Sequence, residues 1–199
     1  MILLRDAAYE LGGGNCESVN YTCATSDQEL LMENEILLYG EDLPELKQDT
    51  SFARIVFLRT DAADNFEGEE ELYRFVRELE YVRYHIFPKG YMVRTSAKSS
   101  QEQARVSKDA IGAGINFERL GSTYIRKYLK NPRVRNVQVL FLTGMKELEP
   151  FLKEAQQTDA VTGALNHILQ GMPMNCKTCD LKTICDEVDG MRSLHQKNR

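Results

Sequence analysis

The chain has 199 residues, 42% of them hydrophobic and 28% charged, with a net charge of −5; these are ordinary values for a soluble globular chain with room for one sizeable core. No apolar run approaches the ~20 residues needed to cross a bilayer. Met1–Asp6 is too short and too charged for a signal peptide, so a cytoplasmic protein without membrane association is expected. Five cysteines, an odd number, point to thiols or metal ligands and away from a disulfide framework.

In chain order, residues 1–24 contain Gly12-Gly13-Gly14, a flexible turn beside Cys16 that lacks the spacing of a dinucleotide-binding loop. Glu35–Tyr39 reads as a strand closed by Gly40-Glu41-Asp42-Leu43-Pro44, and Phe52–Leu58 as a second strand rich in β-branched and aromatic residues. Glu67 to about Phe87 is the clearest helix. Its Leu72, Phe75, Val76, Leu79, Val82 and Ile86 form one apolar stripe, and the acids Glu67, Glu69, Glu70 and Glu71 load its start as a solvated helix terminus.

Tyr91–Thr95 reads as a strand, residues 101–113 as a short helix ended by Gly112 or Gly114, and Phe117–Leu129 as a helix stopped near Asn131-Pro132. Val137–Leu142 is the best candidate for a central strand, and two further helices, about 145–156 and 159–170, follow it. Strands mixed with helices in this order give an α+β fold, one mixed β-sheet flanked by helices with a C-terminal cysteine-rich helical tail. The boundaries are residues 1–171 for the domain and 172–199 for the tail.

Charge is unevenly spread. Residues 1–50 hold eleven acids against two bases, whereas residues 91–136 hold ten bases against three acids. Either two solvated faces attract each other or the basic stretch is an anion-binding surface. Tyr124 and Tyr128 lie among the bases at helical spacing, which suits a core better than base stacking, and an acidic chain without a nucleic-acid motif is not expected to bind one. Asn20-Tyr21-Thr22 fits a glycosylation sequon that a cytoplasmic chain does not use.

The most informative motif is Cys176, Cys179 and Cys185, spaced C-x2-C-x5-C, with Cys16 or Cys23 available as a fourth ligand that would tie the two ends of the chain together. Structural zinc sites usually come as paired knuckles, and only one such pair is present; His167 and His195 are lone histidines. A compact triplet with one remote thiolate suits a 4Fe–4S cluster, with zinc as the alternative. The arrangement is similar to the iron–sulfur staple of RecB-type nucleases, although that family's acidic and lysine signature is missing.

Phe66-Glu67-Gly68, Arg105-Val106-Ser107-Lys108-Asp109-Ala110 and Val137-Gln138-Val139, with Glu10-Leu11-Gly12-Gly13 and Glu35–Tyr39, occur in an order that resembles the middle domain of the β subunit of CO dehydrogenase/acetyl-CoA synthase, over residues 8–155. The resemblance implies an α+β unit in anaerobic one-carbon metabolism. It also implies that Arg105 and Lys108 bind coenzyme A, where the plain alternative is pairing with neighbouring acids. It further implies a CODH-type or corrinoid protein subunit as partner. The chain departs from that family in having no Cys-Gly-Cys and a third cysteine after five residues. The expected function is therefore an accessory or electron-transfer module and not an acetyl-CoA synthase by itself. The alternatives are a CoA- or acyl-CoA-binding component of a larger enzyme, or a zinc-stapled interaction domain.

Overall fold

Phe-Ala-Arg-Ile-Val-Phe-Leu-Arg-Thr, β4 (Phe52–Thr60), is buried along almost its whole length, the pattern of a strand covered on both faces. In the computed structural model, which describes residues 6–62, 65–86, 88–95, 101–145, 148–170 and 178–187, β4 lies inside a mixed four-stranded sheet of order β2-β4-β7-β3. Its partners are β2 (Ser18–Thr25), β7 (Val134–Thr143) and β3 (Glu35–Tyr39). β2 runs parallel to β4, β4 antiparallel to β7, and β3 parallel to β7. β7 is an interior strand, as its apolar run predicts.

A second sheet, antiparallel and of order β1-β6-β5, joins β1 (Ala7–Leu11), β6 (Glu102–Ser107) and β5 (Tyr91–Thr95). The fold is α+β, with two sheets where the sequence suggested one. Residues 102–107 form a strand and not the start of a helix. Glu, Gln, Ala and Arg are good helix formers, but the segment buries alternate residues, Glu102, Ala104 and Val106, and that period of two decides for a strand paired on both sides. Only Lys108–Gly112 is helical, as α2. Gly12, in the left-handed region at φ 64°, turns the chain from β1 towards β2, and a Cβ there would collide with Ser18.

One face of the four-stranded sheet packs against the second sheet and against α3 (Phe117–Tyr128). Phe52, Val56, Val139 and Phe141 meet Leu11, Ala104, Val106, Phe117, Leu120 and Tyr124 there. Tyr124 and Tyr128 are both fully buried, core residues as their spacing indicates. Asn116 caps α3, its side chain accepting the Arg119 N–H at 2.8 Å, and Asp42 Oδ1 accepts the Phe117 N–H at 2.8 Å.

The other face carries Val19, Tyr21, Ala53, Ile55 and Leu142 against Leu148 and Ala155. Ala155 belongs to α4 (Glu149–Leu169), one helix of 21 residues where two were expected. The polar Gln156-Gln157-Thr158-Asp159 stretch contains no proline or glycine, so nothing breaks the backbone ladder. α1 (Glu69–Val82) ends in a 3-10 turn at Arg83–His85; its Phe75 and Leu79 enter the first core, while Tyr73 joins Ala164, Leu165 and Ile168 of α4 in a third cluster. α5 (Lys182–Glu187) packs onto that cluster through Leu181, Ile184 and Cys185. Among the described residues no helix is long and apolar enough to cross a membrane.

Candidate functional site

Of the five cysteines, Cys176 lies outside the described residues. Cys179 sits in the turn that leads into α5, where its carbonyl accepts the Lys182 N–H at 3.1 Å, and Cys185 faces the α4 cluster one turn further on. Both are half-buried. Cys23 lies on β2, half-buried against Phe57, Leu140 and the first half of α4. Burial pushes its thiol pKa up, and the Glu154 and Glu80 carboxylates add to the shift. Cys16 precedes β2 in the loop after Gly13.

The strand from Ser18 to Cys23 spans about 17 Å at ~3.3 Å per residue, so one metal centre can take Cys16 or Cys23 but not both. The two are not equivalent with respect to the tail. The end of β2 that carries Cys23 adjoins the middle of α4, where Thr22 and Ala24 line a cleft of about 290 Å³ with Glu154, Thr158 and Val161. Val161 also belongs to the cluster on which α5 docks. Cys23 is thus the upstream cysteine that packs with α4, near Phe151–Ala155, whereas Cys185 packs near Ala164–Ile168 of the same helix, and the described thiols are not brought together. Among the described residues no three His, Cys, Asp or Glu side chains gather as a metal site. The donor chemistry of the tail, three soft thiolates within ten residues, nevertheless fits a soft metal or an iron–sulfur cluster.

Arg105 lies on β6 and its Nε donates to Glu10 Oε1 at 2.5 Å, both side chains partly exposed. Its Nη1 is buried and has no hydrogen-bond partner among the described residues. Lys108 opens α2 and is exposed. Arg105–Glu10 joins the acidic 1–50 stretch to the basic 91–136 stretch, while Arg133 and Arg135 of that basic stretch pair instead with Glu71 and Asp61. Glu71 and Glu70 are thereby accounted for as ordinary helix-start charges, the latter paired with Arg74.

A buried network of charges lies between the two sheets. Arg54, 1% exposed in β4, pairs with Glu102 of β6: its Nη1 donates to Oε1 at 3.0 Å, and its Nη2 lies in ion-pair contact with Oε2 at 2.8 Å. It also donates to the Tyr124 hydroxyl and to Asn20 Oδ1, and its guanidinium lies 4.4 Å from the Tyr124 ring centre. Asn20 Oδ1 is shared with Arg83 Nη1 at 3.2 Å, and Arg83 continues to Glu80 at 3.4 Å and Asp159 at 3.5 Å. This chain of charges runs from between the two sheets to a cleft of about 410 Å³ between α1 and α4. Burial pushes the Glu80 carboxyl pKa up, against the pull of Arg83 and a hydrogen bond from the Thr22 backbone. The sequence signal was an arginine in the most apolar strand, on the same face as Phe52 and Val56. A charge in that position needs a buried partner.

Set beside known proteins, the chain matches no family model and no curated protein.

Proposed function

We propose that this protein is an accessory or electron-transfer module of CO/acetyl-CoA one-carbon metabolism that carries an iron–sulfur cluster and docks to a CODH-type or corrinoid partner. Cys176, Cys179 and Cys185 would hold the cluster, with Cys23 as the fourth thiolate. The supporting observation is that Cys23 and the docked α5 segment lie along the same helix, α4, while Cys16 lies beyond the far end of β2. When bound, such a cluster supplies one-electron transfer or a structural clip, and four thiolates leave no open iron. The chain's own part is to anchor α5 through Leu181 and Ile184 on α4. The test is anaerobic purification with iron, sulfide, nickel and zinc analysis and a visible spectrum. About four irons and four sulfides per chain with bleachable absorbance support the proposal, while one zinc and no colour replace it with a zinc-stapled interaction domain.

Partly exposed Arg105 near the end of β6 and exposed Lys108 at the start of α2 favour a second reading, a CoA- or acyl-CoA-binding component of a multisubunit enzyme. Calorimetric titration with CoA separates the two. Binding that is lost in Arg105→Ala/Lys108→Ala carries that reading, and no heat at millimolar CoA ends it.

A further inference from the structure

β3 is an outer strand of the four-stranded sheet, paired with β7 on one side. Alternate N–H and C=O groups on its other side face outwards, as in any strand paired once. Proteins normally blunt such an edge with charge or cover it. This edge is charged but also carries large apolar side chains: Leu38 and Tyr39 are 36% and 60% exposed, and Leu30 and Met32 in the preceding segment 53% and 69%. Edge protection accounts for the charges and not for these four. The charges are of one sign. Glu33, Glu35 and Glu41 lie in β3 or directly flank it, and the chain has no base between Arg5 and Lys47. None of the three carboxylates is in an ion pair among the described residues, although Glu35 Oε2 accepts a hydrogen bond from the Gln138 amide at 2.6 Å.

We infer that the β3 edge is a docking surface for an extended, basic segment of a partner protein, which adds to the sheet as a strand outside β3. Backbone pairing supplies the common part of the affinity, and the side chains supply the choice of partner. Glu33, Glu35 and Glu41 select lysine or arginine, and Leu38 and Tyr39 select apolar residues between them. A second copy of the chain is the wrong occupant. In a two-fold antiparallel pairing centred on Leu37, Glu33 would face Glu41, and like charges set opposite each other destabilise a strand pair. The docking edge deepens the accessory-module reading, resting on it only in needing a partner. The cysteine tail takes no part, so metal content and edge binding succeed or fail separately.

The experiment is hydrogen exchange on the full chain with a pool of short peptides bearing lysine at alternate positions and Val, Ile, Tyr or Phe between them. A matched glutamate pool serves as control. Exchange at Glu35–Tyr39 should slow with the lysine pool only, and the affinity should fall about tenfold in E33K/E35K and at high salt. Y39K should weaken binding while circular dichroism shows an unchanged fold. Three results overturn the inference: no slowing at Glu35–Tyr39 with the lysine pool, equal binding of the glutamate pool, or a dimer of the free chain that itself protects β3. The last would assign the edge to a second copy.

Discussion

At the β2 edge of the four-stranded sheet, α1 brings Glu80 and Arg83 against the strand. Arg83 Nη1 lies 3.5 Å from the Asn20 carbonyl oxygen, and the Thr22 amide serves the Glu80 carboxylate. At the β3 edge, 36–60% of Leu38 and Tyr39 is in solvent and the nearby carboxylates are in no described ion pair. Closing an edge with buried charges requires each charge to be matched, and here the matching extends inwards through Asn20 to Arg54 and Glu102. The closed edge is therefore sensitive to single changes, because removing one partner leaves another charge buried and uncompensated. The open edge loses little from the folded state when its exposed groups change, the exposed Gln138–Glu35 hydrogen bond at most.

Glu102→Ala should give the largest effect, about 3–5 kcal/mol of lost stability in denaturant unfolding, as it strands Arg54 between the sheets. An Arg54→Met/Glu102→Leu double variant should recover most of that loss, because the apolar pair leaves no unmatched ion. Arg83→Ala should cost about 3 kcal/mol, at the low end of that range because its ion-pair contacts are longer. It should also speed amide exchange along β2.

Alkaline titration comes next. Burial raises the Tyr128 pKa to about 12 from an ordinary 10, so the folded state holds this proton more tightly than the unfolded one. The contribution is full below pH 10 and is lost as the pH rises towards about 12. The loss amounts to about 2 kcal/mol, and Tyr128→Phe should flatten that part of the stability profile. Smallest of all, E33K/E35K and Y39K at the open edge should change stability by no more than about 0.5 kcal/mol.

Much of this fold is legible from local pattern. β3, β4, β5, α1, α3 and β7 follow from alternation, apolar stripes and the stop at Asn131-Pro132. β6 is hidden because its residues favour a helix and one of its inward positions is Glu102, which becomes a core residue only opposite Arg54, 48 positions earlier. β1 and β2 are short of a clear local pattern because the Gly12-Gly13-Gly14 turn interrupts them, although Val19, Tyr21 and Cys23 share one sheet face and Asn20 and Thr22 the other. The ion chain cannot be read locally, since its members come from β2, β4, β6, α3, the end of α1 and α4. The cysteine motif is the reverse case. Its spacing is plain in the sequence, and the structure adds which upstream thiol packs with α4.

That placement gives the most direct test of the cluster proposal. Iron and sulfide per chain should be measured on anaerobically purified wild type, Cys16→Ser and Cys23→Ser. Cys16→Ser should retain the wild-type content of about four irons, while Cys23→Ser should fall well below it and lose colour on brief exposure to air. Iron lost in Cys16→Ser and kept in Cys23→Ser would contradict the placement of the centre beside α4. A wild type that holds no iron would contradict the cluster itself.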